Sequence, residues 1–184
     1  WNGSGQLGIG NTNNQYSSSP VQAGTDTDWS QISAGDVHSL AIKSNGTLWA
    51  WGWNGSSGRL GIGNTNIQYS SSPVQVGTAT NWLQVSAGVG NTLALKSDGT
   101  LWAWGYGIYG KLGTGNENNQ HSPVQVGTAT NWALISAGQY HSLAIKSDGT
   151  LWAWGENDKG QLGIGNTTNQ NSPVQIGAAT NWVQ

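Results

Sequence analysis

The chain contains no cysteine, methionine or phenylalanine, and only 8% of its 184 residues are charged. Without cysteine there is neither a disulfide framework nor a thiolate metal site. The formal net charge is -2 and the six basic residues are scattered, which argues against binding driven by nucleic-acid phosphates. No apolar run approaches the roughly 20 residues that span a bilayer, and no charged-then-apolar leader is expected ahead of the first tryptophan. The chain therefore reads as soluble. Export, or display on a bacterial cell surface, is compatible with the missing cysteine, and the compartment stays open. No paired carboxylates, nucleophile-base pair or metal-ligand cluster recurs at a persuasive spacing, so no catalytic residue, metal or cofactor is assigned and the chain is read as a non-enzyme.

In place of these the chain has 29 glycines and 12 tryptophans, and its polar segments are built from Asn, Gln, Ser and Thr. It is also repetitive. Ser-Ala-Gly at 33–35 returns at 86–88 and 136–138, and Leu-Trp-Ala-Trp-Gly at 48–52 returns at 101–105 and 151–155, in steps of 53 and then 50 residues. Every proline (Pro20, Pro73, Pro123, Pro173) sits in Ser-Pro-Val-Gln, and a tryptophan (Trp29, Trp82, Trp132, Trp182) follows nine residues later. Residues 85–134 agree with 135–184 at about three positions in five.

Within a copy the period is that of strands. Trp49 and Trp51 point one way and Leu48 and Ala50 the other, so both faces of the strand are apolar and must be covered. Asn45-Gly46, Asp98-Gly99 and Asp148-Gly149 supply the positive φ that a tight hairpin needs between this strand and the preceding one. A strand at Gln31 to Ala34 before the hairpin, and one at Val74 to Val76 or Val21-Gln22 after it, bring the number to four per copy. Glycine at about every sixth residue leaves no window for a stable amphipathic helix. A unit of about 50 residues with four short strands and two buried faces predicts an all-β fold, a β-propeller of four-stranded antiparallel blades. Kelch repeats fail because no Gly-Gly occurs, and WD repeats fail because no Trp-Asp occurs.

The copy at Gly138-Gln139-Tyr140-His141-Ser142, Asp148-Gly149, Trp152-Ala153-Trp154-Gly155 and Asn157-Asp158-Lys159-Gly160-Gln161-Leu162-Gly163 resembles the regulator of chromosome condensation repeat. An earlier copy matches through Gly35-Asp36-Val37-His38-Ser39 and Gly58-Arg59-Leu60-Gly61. The middle copy departs, with Asn91 and Thr92 in the His-Ser places and Lys111 where glutamine is usual. The resemblance implies a propeller, usually of seven blades. The repeat units run 1–31 (partial), 32–84, 85–134 and 135–184, about 3.5 blades or half a ring. The remaining blades are expected from a longer chain or a second copy.

Function is expected in loops, because the copies differ there and agree in strands. The candidate partner-binding positions are Asp36, Val37 and His38, Val89, Gly90 and Asn91, and Gln139, Tyr140 and His141 after the first strand of each copy. Tyr106, Tyr109, Glu156, Asp158 and Lys159 follow the Trp-Gly strand. The favoured reading is a scaffold that binds a protein through this face, with enzyme inhibition as a sub-case; the alternative is carbohydrate binding by exposed Tyr and Trp beside Asn and Gln. Guanine-nucleotide exchange and ultraviolet-B sensing, both implied by the resemblance, fare worse. Asp36 is a lone acid among three copies, and the Trp-Arg of the light-sensing motif is replaced by Asp36-Val37, Val89-Gly90 and Gln139-Tyr140. Trp49, Trp51, Trp102, Trp104, Trp152 and Trp154 are read as structural, with Trp49, Trp102 and Trp152 largely buried between blades. His38 and His141 are expected to hydrogen-bond nearby backbone, and His121 to lie solvated in a loop. Lys43, Lys96 and Lys146 are expected to keep hairpin ends soluble.

Overall fold

The computed structural model describes residues 1–13 and 16–183. Three four-stranded antiparallel sheets follow one another, in the orders β1-β2-β3-β4, β5-β6-β7-β8 and β9-β10-β11-β12. Their bounds are β1 Trp29–Ala34, β2 His38–Lys43, β3 Leu48–Trp53 and β4 Tyr69–Gln75, then β5 Trp82–Ala87, β6 Asn91–Lys96, β7 Leu101–Gly105 and β8 Gln120–Gln125, then β9 Trp132–Ala137, β10 His141–Lys146, β11 Leu151–Gly155 and β12 Gln170–Gln175. The sole helical element among the described residues is a 3-10 turn, Ile108–Gly110. The blades pack through their first two strands, β1 and β2 on β5, and β5 and β6 on β9, so the first strands form the inner edge. Val21-Gln22, expected as a strand, has no strand assignment: fourth strands pair only with the third strand of their blade, and no strand among the described residues lies beside this segment.

Each hairpin carries the same relay. Asp98 Oδ1 accepts from Thr100 N at 3.0 Å and from Thr100 Oγ1 at 2.6 Å, and Thr100 Oγ1 accepts from Trp102 Nε1 at 2.8 Å. Asn45–Thr47–Trp49 and Asp148–Thr150–Trp152 repeat it. These hydroxyl and amide donors hold the Asp98 and Asp148 carboxyls below the usual range. The relay fixes the first tryptophan of each Trp-Ala-Trp at the hairpin end, and the result differs from expectation: Trp49, Trp102 and Trp152 are only half-buried. The second tryptophan takes the buried place between blades, with Trp51 8% exposed and Trp104 and Trp154 fully enclosed.

Two apolar cores fill the gaps between blades. Leu40, Ile42, Leu48 and Ala50 of the first blade meet Trp82, Val85, Ala94 and Trp104 of the second. Leu93, Leu95, Leu101 and Ala103 of the second meet Trp132, Ile135, Ala144 and Trp154 of the third. Polar latches also join the blades. In the first three of the four Gly-x-Leu-Gly copies the carbonyl of the second residue accepts the indole N–H of the next blade: Trp51 Nε1 to Gln6 O at 2.8 Å, Trp104 Nε1 to Arg59 O at 3.1 Å and Trp154 Nε1 to Lys111 O at 3.0 Å. The motif thus works across blades. At the inner edge, Ser33 Oγ accepts from Ala87 N at 3.0 Å and Ser86 Oγ from Ala137 N at 2.9 Å, which satisfies backbone donors on an otherwise open strand edge.

The lysines before the hairpins do more than carry charge at a loop. Lys96 Nζ lies 4.9 Å from the Trp82 ring centroid and 3.9 Å from that of Trp102, and Lys43 and Lys146 sit likewise between Trp29 and Trp49 and between Trp132 and Trp152. The negative ring faces attract the ammonium groups, so each lysine clasps two strands of one blade.

Candidate binding face

Antiparallel strands in order put the loops after the first and third strands of every blade at one end, and the hairpins between second and third strands at the other. The two loop sets are stitched together by backbone bonds: Trp53 N to Val37 O at 2.7 Å, Tyr106 N to Gly90 O at 2.8 Å and Glu156 N to Tyr140 O at 2.9 Å. The candidate residues therefore share one end of the blades. They do not share accessibility. Asp36, Val89, Gln139, Asp158 and Lys159 are exposed, and Val37, Tyr106, Tyr109, Tyr140, His141 and Glu156 are half-buried. His38, Gly90 and Asn91 are buried and cannot meet a partner directly. His38 and Asn91, the first residues of β2 and β6, are enclosed where the next blade packs against them, whereas His141, first in β10, has no following blade among the described residues.

His38 also corrects the expected backbone role. Its Nε2 lies 3.0 Å from Thr92 Oγ1 of the next blade. The middle copy's Thr92 is thus the partner of the preceding copy's histidine, whereas Ser142 Oγ donates to Lys111 O at 2.8 Å. Burial, with help from the Arg59 and Lys111 charges, pushes His38 down to about 4. Its folded value lies below its unfolded one, so the unfolded chain binds more protons between roughly pH 4 and 6.5. The associated stability is complete above that window and lost as pH falls through it, by at most about 3 kcal/mol. Urea titrations across this window are expected to show a steeper acid loss for the wild-type chain than for His38→Gln; parallel curves would show that His38 charges in the folded state at little cost. His121 is exposed as expected, but it lies in β8 rather than in a loop.

Three tyrosines gather between the second and third blades. Tyr109 and Tyr140 make an edge contact at 5.6 Å between centroids and 88° between planes. Tyr109 has φ 60°, the one non-glycine residue with positive φ among the described residues. Below them Lys111 is fully buried, and its Nζ donates to Val89 O at 2.8 Å and Gln139 O at 2.9 Å. It also lies 5.1 Å from the Tyr106 ring and 5.5 Å from that of Tyr140. Burial and the Arg59 charge push Lys111 down to about 8. Glu156, Asp158 and Lys159 of the third blade are engaged with each other and with Gln161: Lys159 Nζ to Asp158 Oδ2 at 2.8 Å and Gln161 Nε2 to Glu156 Oε2 at 3.1 Å. The sequence reading missed Arg59 and Lys111 as functional candidates. The available signal was the second position of Gly-x-Leu-Gly, which reads Gln6, Arg59, Lys111 and Gln161.

Models of the regulator of chromosome condensation (RCC1) repeat match residues 1–42, 45–95, 98–145 and 148–184. The ultraviolet-B receptor UVR8 of Arabidopsis thaliana is 34% identical over 120 residues, 65% of this chain and 27% of that protein. The human E3 ubiquitin-protein ligase HERC2 is 41% identical over 86 residues, 46% of this chain and 2% of that protein. Human WBSCR16 superposes with a TM-score of 0.81 at 26% identity over 96% of this chain and 46% of its own. Prp20p of Saccharomyces cerevisiae, studied for its binding to Gsp1p and histones, has a TM-score of 0.73 at 20% identity over 82% of this chain and 39% of its own. The chain thus spans about a quarter or less of these curated relatives and under half of these solved chains. With three four-stranded blades, inter-blade Gly-x-Leu-Gly latches and repeat matches along almost the whole sequence, this chain belongs to the regulator of chromosome condensation (RCC1) repeat family.

Proposed function

We propose that this chain is a non-enzymatic scaffold that binds a protein through the loop end of its blades, centred on Tyr106, Tyr109 and Tyr140. The observation that carries this reading is Tyr109. A non-glycine residue at φ 60° costs roughly 1–3 kcal/mol, and here it sets an aromatic ring against Tyr140 across a blade boundary on the loop end. Clustered aromatic side chains held rigidly at a surface are the usual anchors of protein interfaces. Asp36, Val89, Gln139 and the third blade's Glu156, Asp158 and Lys159 form the polar surroundings. A protein-binding role is also the one described for Prp20p, a structural neighbour.

A photo-crosslinking residue at Gln139 is expected to capture a protein partner from native extract, and one at Ser97 on the opposite end is not. Tyr109→Ala combined with Tyr140→Ala is expected to weaken capture at least about tenfold, the loss typical of interface anchors. Crosslinking from Ser97 alone would overturn the assignment of the face. Binding to a glycan array that is abolished by the same double substitution would replace the protein partner with a carbohydrate.

A further inference from the structure

Arg59 and Lys111 occupy the same register position in successive blades, and the fold does not require a charge there, because Gln6 and Gln161 fill it in the other two copies. Lys111 is saturated by two carbonyls and acts from below the surface. Arg59 is different. It is half-buried, its Nε is enclosed without a hydrogen-bond partner, and no carboxylate among the described residues lies within ion-pair distance of it or of Lys111. A Cβ placed on Gly90 would come 2.7 Å from Arg59 Nε, and one on Gly55 would come 2.9 Å from Arg59 Nη1 and 2.5 Å from Trp53 Nε1. The guanidinium is therefore seated between the Gly55 turn of its own blade, where Trp53 also packs, and the Gly90 turn of the next. The adjacent Val89 carbonyl is the one that holds Lys111. Two cations thus converge on the Val89-Gly90 turn. Each disfavours the other, since the Arg59 charge lowers Lys111, and Asp36 offsets Arg59 only from a distance.

Uncompensated charge of one sign costs folding energy, and whereas Lys111 holds two loop carbonyls, Arg59 Nε holds none and glutamine fills the same position in two other copies. We infer that Arg59, flanked by Trp53 and backed by the buried Lys111 ammonium, is a carboxylate-binding subsite that takes an aspartate or glutamate side chain of a protein partner. The planar guanidinium offers paired N–H donors matched to a carboxylate, and Lys111 supplies positive potential without contact. The inference rests on the protein-binding reading above and adds the chemistry of the partner segment, an acidic one.

The test uses the whole chain and a fluorescent glutamate-rich peptide, with a glutamine-rich peptide of equal length and a single-stranded oligonucleotide as competitors, followed by anisotropy. The glutamate peptide is expected to bind and the glutamine peptide not to. Arg59→Gln is expected to weaken binding at least about tenfold, as for loss of a charge-assisted bidentate pair. Lys111→Gln is expected to weaken it severalfold and, because Val89 O and Gln139 O lose their donor, to lower the urea midpoint, so binding is compared where circular dichroism shows both chains folded. Absence of glutamate-peptide binding, binding untouched by Arg59→Gln, or preference for the oligonucleotide would each overturn the subsite. If capture of a protein partner depends on Tyr109 and Tyr140 but is unchanged in Arg59→Gln, the carboxylate subsite fails while the protein-binding face stands.

Discussion

Trp104→Ala is expected to lose roughly 3–5 kcal/mol of unfolding free energy, the range for deleting a fully buried large side chain. Trp104 is enclosed in the core between the first and second blades, where its ring lies 6.1 Å from that of Trp82. Its indole N–H also closes the latch onto Arg59 O. Truncation therefore opens a cavity between two packed sheets, and it leaves a part-buried carbonyl without its donor. Trp102, two residues earlier on the same strand face, is half-buried, so Trp102→Ala is expected to cost only about 1–3 kcal/mol, from its exposed-edge packing and the lost Lys96 contact. Parallel urea titrations of the two variants decide the matter. Equal losses would show that the hairpin-end tryptophan carries as much of the blade contact as the enclosed one.

Gly99→Ala is expected to be nearly as damaging, at roughly 2–5 kcal/mol, although it adds a single methyl group. Gly99 has φ 76°, and a Cβ there would run into the carbonyl oxygen of Thr130, in the connection that leads to the third blade. The Gly99 carbonyl also accepts from Trp132 N at 3.1 Å, so displacing the hairpin breaks its tie to that blade. Gly127 provides the comparison. Its φ is 63°, but nothing lies within 4 Å of its would-be Cβ, so Gly127→Ala is expected to cost only the left-handed backbone penalty of about 1–2 kcal/mol. Thermal melts of the two variants that shift by the same amount would show that the Thr130 connection yields to the methyl group.

Strand alternation, the Asn-Gly and Asp-Gly turns and the recurrence of Ser-Ala-Gly and Trp-Ala-Trp-Gly were enough to read an all-β fold of four-stranded blades directly from the residues. Each is a local or periodic property: side-chain direction in a strand, φ in a turn, self-similarity along the chain. The equivalence of loops across copies likewise assigned most candidate binding residues to one end. Three things lay outside reach. Which tryptophan of each pair is enclosed could not be told from alternation, because Trp102 and Trp104 share a strand face and differ only in what the next blade and the hairpin relay bring against them. The pairing of His38 with Thr92 spans 54 residues and two blades, so the apparent departure of the middle copy looked like loss when it is a complementary partner. Arg59 and Lys111 appeared as scattered charges. Only the packing of successive blades sets both against the Val89-Gly90 turn, burying Lys111 and enclosing the Nε of Arg59 while the rest of Arg59 stays half-exposed.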